Sequence, residues 1–399
     1  MNIGIYGGTF DPPHWGHITA GWAAMAQLKL DKLLLIPDRV PPHKTLPRGA
    51  ATAQQRLDMV TLATAELGRS AESSDMELHR QGLSYTADTL ALLHEQYPDD
   101  TLWLLMGSDM FLSLHTWHKP EQVMALAHIA PFSRQTTDET AAFAAQKARL
   151  ERDYGAQITV VTNPDVRQIS STEVRKALGE GAGEEWVSPA VYGYICREHL
   201  YGTEVDLKAL SPDELRPVAM SYLKPKRMPH VRGTEEEAVR LVRRYGGDER
   251  QARVAALLHD CTKKLDMAEQ LALCQQYGIE LDELEQKALK LLHSKTGAAI
   301  ARDVFGVEDA VYNAILYHTT GKPNMTLLEK IIYLADYIEP TRDFPEVEEL
   351  RRVVYEDIDR GLLLGLTMTI REMEEMGNPV HHQTRDAQLY LIEQGVKLT

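Results

Sequence analysis

At 399 residues, with 44% hydrophobic and 25% charged residues, the chain is too long for one hydrophobic core and too apolar for extended disorder, so two globular domains are expected. A formal net charge of -15 disfavours broad electrostatic binding to nucleic acid or to a membrane, and anionic substrates would need local basic clusters. The scattered Cys196, Cys261 and Cys274 exclude a disulfide scaffold and suit a reducing compartment; with no apolar run of membrane-spanning length, a cytoplasmic protein is expected.

In chain order, the first half alternates short apolar runs with amphipathic stretches. NIGIY is followed by a helix over residues 18–29, KLLLIP by a helix over 54–67, and TLWLLMG by HIAPF and QITVV. That rhythm predicts an α/β domain with a parallel sheet. Pro37 and Gly107 close runs and Pro131 interrupts one, so ligands are expected at the carboxyl ends of the strands. Beyond about residue 205 the periodicity is helical, and TEEEAVRLVRRYGG reads as a helix opened by a capping box of Thr234 and Glu237. The polar stretch LYGTEVDLKALSPDEL places a boundary near residues 204–207, which predicts domains over 1–204 and 205–399, the second all-α.

The stretch GGTFDPPHWGH, residues 7–17, concentrates the chemistry of the first half. Gly7 and Gly8 behind a buried strand let the backbone approach a phosphate, and a helix starting near Gly16 offers amide groups and a positive dipole end to the same anion. His14 and His17 add side-chain donors suited to charge building on a phosphorus during in-line substitution. An isolated pair of histidines at this spacing is usually only polar helix-start chemistry. Lys44 after the second strand, Arg134 after the fourth, and ISSTEVR with Arg175 one turn into its helix turn the reading toward phosphate handling.

GGTFDPPHWGH together with ISSTEVR resembles the paired signature of the nucleotidyltransferases of the HxGH class. Within that class, GLSYTADTL, MGSDMF and Trp117-His118 are similar to the bacterial nicotinate mononucleotide adenylyltransferases, over roughly residues 1–202. The resemblance implies a Rossmann-like domain that binds ATP with Mg2+ against Gly7, Gly8, Thr9 and Phe10 and against Ser170, Ser171 and Thr172. It further implies that nicotinate mononucleotide attacks the α-phosphorus and expels pyrophosphate, leaving deamido-NAD, while His14, His17, Lys44 and Arg175 stabilise the transition state. Tyr85, Thr86 and Trp117 would surround the nicotinate ring, Gly107 would join the binding residues, Asp109 would contact the substrate, and Arg134 would serve the adenosine side.

In the helical half, AALLHD, LKLLHS and AILYHT each place a ligand-type side chain near a predicted helix end, while Asp336 falls inside the apolar helix KIIYLADYIEP, where a carboxylate needs a cation. With His230 before the adjacent pair His259-Asp260 and Asp336 after it, the series resembles the HD superfamily of metal-dependent phosphohydrolases. His293 and His318 suggest a two-metal version, with iron as first choice and manganese or zinc as alternatives. RMPHVRGTEEEA, LLHDCTKK, LLHSKTGA, YHTTGKPNMTLLEKIIYLADYIEPTR and LRRVV are similar to the bacterial symmetrical diadenosine tetraphosphate hydrolases, over residues 212–399. That resemblance implies cleavage to two ADP, with Lys263, Lys322 and Arg342 binding the polyphosphate.

The expectation is therefore a bifunctional enzyme whose partners are ATP, nicotinate mononucleotide and dinucleoside polyphosphates, with a homo-oligomer left open. The ligand set alone does not select a substrate, so a general nucleotidase or phosphodiesterase, or a non-catalytic nucleotide-sensing module, stays an alternative for the helical half.

Overall fold

The structure is a computed structural model and describes residues 1–42, 45–133, 137–162 and 169–398, apart from the side chains of 137–139. Lys44 and Arg134 lie outside the described residues. The chain divides into two compact units, Met1–Glu204 and Val205–Thr399.

In the first unit, strands β1 (Asn2–Gly8), β2 (Lys32–Pro37), β3 (Ala71–Ser73), β4 (Thr101–Met106), β5 (His128–Ser133) and β6 (Val161–Thr162) make a six-stranded sheet in the order β3-β2-β1-β4-β5-β6. All its pairings are parallel. The helices are α1 (Trp15–Gln27), α2 (Ala53–Leu67), α3 (Thr86–Gln96), α4 (Ser108–Ser113), α5 (Pro120–Leu126), α6 (Thr137–Tyr154), α7 (Ser171–Gly179) and α8 (Pro189–Arg197). Ile3, Ile5, Leu34, Ile36, Leu104 and Ile129 are buried in one cluster with Leu90 and Phe111, as a parallel sheet covered by helices requires. The chain winds outward from β1 through β2 and β3, then returns to the other side of β1 at β4. That reversal leaves a crevice at the carboxyl ends of β1 and β4.

Three local expectations change. Gly7 and Gly8 do not follow β1 but end it, paired with Ile36 and Pro37. The chain reverses just after them, where Phe10 takes a left-handed φ of 50°. Its ring is buried against Tyr6 and His17, with centroids 5.6 and 5.0 Å away, so packing holds a conformation that its Cβ disfavours. Of QITVV only Val161 enters β6, and Ile158 makes an isolated bridge to Ile129. α1 begins at Trp15, because His14 caps it, and stops at Gln27.

The second unit contains α9 (Pro212–Ser221), α10 (Met228–Tyr245), α11 (Glu249–Leu258), α12 (Met267–Gln276), α13 (Leu289–Phe305), α14 (Asp309–Tyr317), α15 (Leu327–Ile338), α16 (Val347–Glu356), α17 (Ile358–Glu375) and α18 (His382–Glu393). α10 packs on α11 and α15, and α14 on α11, α13 and α15. The fully buried Ala252, Ala255 and Ala256 of α11 and Ala298 and Ala301 of α13 let these helices approach closely. No helix among the described residues is long and apolar enough to cross a membrane.

Two expectations are corrected here as well. Thr234 and Glu237 do not cap a helix, since α10 starts at Met228 with a proline in its first turn. Thr234 is buried inside it and donates its hydroxyl proton to the His230 carbonyl at 2.9 Å. The same Thr-x-x-Glu spacing serves a helix interior when tertiary packing covers it. His293 lies near the start of α13, because LKLL opens that helix instead of ending one.

Candidate functional site

The first site lies at the carboxyl ends of β1 and β4. A cavity of about 270 Å³ there is lined by Gly7, Gly8, Thr9, Thr86, Gly107 and Trp117, together with Asp38 and Glu77. A Cβ on Gly7 would meet nothing within 4 Å, so its lack of a side chain leaves open space against the strand end. Tyr85 and Asp109 do not line this cavity; Tyr85 stacks on His118 at 4.3 Å, and Asp109 sits exposed in the first turn of α4.

The two imidazoles are built into the start of α1. His14 Nδ1 accepts from the Gly16 amide at 3.1 Å, and His17 Nδ1 accepts from the His14 amide at 3.2 Å, closing a capping box made of two histidines. With both Nδ1 atoms accepting, each neutral ring carries its proton on Nε2. The rings are 3.9 Å apart. Burial pushes His14 down to about 4 from its usual 6.5, with Glu173 opposing, so it is uncharged at neutral pH.

Buried residues fix this loop in place. Arg56 donates through Nη1 to the Thr9 carbonyl and to Asp38 Oδ1, both at 2.9 Å, and Thr9 Oγ1 donates to Asp38 Oδ2 at 2.8 Å. Asp11 Oδ1 accepts from Tyr201 Oη at 2.7 Å and from the Ala51 amide at 3.1 Å. The start of α7 docks on the same loop: Arg175 donates to the Asp11 carbonyl at 2.5 Å, and Ser171 Oγ to the Pro12 carbonyl at 3.0 Å. Ser170 caps α7 with Glu173, and Thr172 accepts from Arg175 at 3.2 Å. The structure thus brings His14, His17, Thr9, Ser171 and Arg175 to one edge of the sheet.

The second site gathers His230 from α10, His259 and Asp260 after α11, His293 from α13, His318 after α14 and Asp336 from α15. Asp260 occupies the middle. Its Oδ2 lies 3.9 Å from His230 Nε2 and 3.6 Å from His259 Nε2, while its Oδ1 lies 3.2 Å from His293 Nε2 and 3.9 Å from His318 Nε2. Asp336 Oδ1 is 2.9 Å from His230 Nε2 and 3.7 Å from His259 Nε2.

These residues fit a divalent metal on three grounds. First, His259 and His318 each donate Nδ1–H to a backbone carbonyl at 2.6 Å, of Ala256 and Ile315, which leaves Nε2 as a lone pair facing the cluster. Second, His259 Nε2 and Asp260 Oδ1 are buried without any hydrogen bond. Third, burial lowers His293 and His318 to about 4 and lowers His259 too, so these three rings are neutral donors, whereas His230 is raised against its burial by hydrogen bonds to Asp336 and Glu339. Burial opposes ionisation of Asp260 and Asp336, yet the close approach of His293 with the charge of Lys263 on the first, and a hydrogen bond from His230 with the charge of Arg342 on the second, hold both carboxyls well below their usual range. His293 Nε2 and His318 Nε2 lie 3.1 Å apart. Adjacent ligands on an ion with bonds of about 2.1 Å sit at roughly that separation.

A cavity of about 870 Å³ opens onto these ligands, lined by Arg227, Lys263 and Arg342 and by Tyr333, Tyr337 and Phe344. Arg227 pairs with Asp260 at 2.6 Å and Arg342 with Asp336 at 2.7 Å. Lys322 is placed elsewhere: it does not line this cavity and pairs with the buried Glu329 at 3.2 Å.

Residues 5–177 match the family described as Cytidylyltransferase-like, and residues 227–341 match the HD domain. A "Probable nicotinate-nucleotide adenylyltransferase" of Shewanella sp. (strain ANA-3) is 37% identical over 215 residues, which cover 50% of this chain and 99% of that protein. The chain belongs to the nicotinate-nucleotide adenylyltransferase family. Another relative of the same name, from Desulfitobacterium hafniense (strain Y51), is 37% identical over 202 residues, covering 50% of this chain and 95% of the relative. A solved structure from Clostridium acetobutylicum, described as a predicted HD superfamily hydrolase involved in NAD metabolism, is 42% identical. It covers 46% of this chain and 98% of its own, with a TM-score of 0.45. The chain therefore joins a nucleotidyltransferase domain of that family to an HD domain, which implies divalent-metal binding.

Sequence reasoning missed the supports in both halves. Glu339, fully buried, accepts from His230 Nδ1 at 2.9 Å and from the Thr341 amide at 2.6 Å, turning His230 Nε2 toward Asp336. Gly233 faces it across the helix contact, where a Cβ would collide with Glu339 Oε2. The carboxylate directly before the proline in YIEP was the available signal. Asp11 and Arg227 lie within the stretches GGTFDPPHWGH and RMPHVRGTEEEA but were given no role, while nothing in the local sequence of Arg56 and Asp38 separates them from surface charges.

Proposed function

We propose that the first unit transfers the adenylyl group of Mg2+-bound ATP to nicotinate mononucleotide, releasing deamido-NAD and pyrophosphate. The supporting observation is the convergence of the His14 and His17 pair with Arg175 beside a glycine-lined cavity at the strand reversal. The substrate identity rests on the relatives' name. In this reading Trp117 and Thr86 border the nicotinate ring, and the free amides at the start of α7 meet phosphate oxygens. The Nε2–H groups of both histidines, Arg175 and Lys44 neutralise charge at the α-phosphorus as the mononucleotide phosphate attacks in line and pyrophosphate leaves.

We further propose that the second unit hydrolyses diadenosine tetraphosphate symmetrically to two ADP in the cytoplasm. What supports this is Asp260, whose two oxygens face separate histidine pairs beneath a large cavity that is basic on one side and aromatic on the other. Two iron or other divalent ions at these ligands would supply Lewis-acid polarisation of the anhydride and a nucleophilic water at neutral pH. Lys263, Arg227 and Arg342 bind and orient the phosphates, and Tyr337 with Phe344 offers faces to a base.

Product identification tests both halves. The full chain with ATP and either nicotinate or nicotinamide mononucleotide should yield deamido-NAD far faster than NAD. With diadenosine tetraphosphate and Fe(II), Mn(II) or Zn(II), ADP should be the only nucleotide product. Release of ATP with AMP, or comparable turnover of simple nucleotides, would replace the symmetrical reading by a general phosphodiesterase or nucleotidase.

A further inference from the structure

We propose that Asp282, Glu285, His381 and His382 form a separate structural zinc site that pins the start of α18 to the turn preceding α13. These residues lie outside the HD centre, and none of them takes part in the proposed hydrolysis.

The His381 side chain is only 3% exposed, and its Nε2 makes no hydrogen bond. That nitrogen faces Glu285 Oε1 at 3.3 Å and Asp282 Oδ2 at 3.6 Å. His382 Nδ1 approaches the same Asp282 Oδ2 at 3.7 Å. Ligand atoms of Asp282, His381 and His382 all lie within 4.8 Å of one another.

The two carboxylates are pre-set for ligation. Asp282 Oδ1 accepts from the Glu285 amide at 2.8 Å, while Glu285 Oε2 accepts from the Asp282 amide at 3.0 Å and from Lys295 Nζ at 2.6 Å. One oxygen of each carboxylate is thus committed to holding the turn, and the other is left facing imidazole nitrogens. Four-coordinate zinc with bonds of about 2.0 to 2.1 Å places its donor atoms about 3.3 Å apart, close to the separations here, and imidazole with carboxylate suits its chemistry. Ligation through His381 Nε2 moves the ring proton to Nδ1. That displaces only a long cap contact, in which Nδ1 accepts from the Gln383 amide at 3.3 Å.

The consequence is mechanical. α18 is the last helix, and its Gln383 Oε1 accepts from Thr320 Oγ1 at 3.2 Å, two residues beyond His318. A cation at this point would tie that helix both to the turn leading into the helix of His293 and to the loop after His318.

The experiment uses the full chain stripped of metal and titrated with Zn2+ against a chromophoric chelator, with thermal unfolding followed alongside. Variants are His382→Ala, whose side chain is 64% exposed, and Asp282→Asn, which keeps an oxygen for the Glu285 amide. Both should bind one zinc fewer per chain than wild type and lose the part of the zinc-induced rise in melting temperature that an Asp260→Ala variant retains. Unchanged zinc stoichiometry in both variants would overturn the proposal. So would loss of the same equivalent in Asp260→Ala, which would assign that ion to the HD centre.

Discussion

The two candidate sites are assembled from opposite materials. At the start of α1 the backbone supplies much of the equipment, and the imidazoles are oriented by amides only two or three residues away. In the HD centre five helices or helix ends deliver the side chains, and the second carboxylate is 76 residues beyond the first. A locally built site depends on how its loop is held against neighbouring strands; a site assembled from distant helices depends on how each ring is turned toward a shared point.

The largest expected effects separate the two. Asp260→Ala should cut hydrolysis by about 10³-fold or more by removing the one carboxylate shared between both histidine pairs, and leave adenylyl transfer unchanged. His17→Ala should do the reverse, lowering kcat for transfer by about 10²- to 10³-fold with hydrolysis intact. Parallel assays of both reactions check the pair, and cross-effects in either direction would break the contrast.

Next comes the support of the local site. Arg56 is fully buried and paired with Asp38, so Arg56→Met strands a carboxylate beneath the loop. Unfolding of the first unit should become easier by about 3 to 5 kcal/mol, measured by denaturant titration of the full chain. In the helical site the matching change is Glu339→Gln, which weakens the hold on His230. It should reduce metal affinity by about 10- to 100-fold in a competition titration, with little loss of helicity by circular dichroism.

The smallest effect sharpens the account of His14. Its folded pKa of about 4 lies below the usual 6.5, so the unfolded chain takes up a proton at higher pH than the folded one. Stability from this group is complete above pH 6.5 and drains away as pH falls toward 4. Between pH 6.5 and 5.5 wild type should lose about 1 kcal/mol more than His14→Asn, read from paired unfolding curves. Equal losses would mean that His14 is not kept neutral by burial.

The α/β order, the helical second half and the HD domain were legible because they rest on short-range patterns: apolar runs of strand length, glycine at a strand end, histidine behind an apolar helix. Legibility failed where one local pattern serves two settings. Thr234 and Glu237 have capping-box spacing yet lie in mid-helix, and LKLLHS opens a helix as readily as it could close one. Lys322, plausible as a phosphate ligand by charge alone, is instead drawn to a buried glutamate.

By itself the amino-acid order determined which residue types could perform phosphate chemistry and roughly which element each would occupy, since periodicity and turn chemistry act over a few residues. Tertiary structure alone decided that Asp260 turns one oxygen to each histidine pair, that Glu339 orients His230 from 109 residues away, and that Arg56 anchors the loop of Thr9. Those partners meet only when packing excludes water, because a buried charge must find its counter-charge wherever the fold brings one, at whatever distance along the chain.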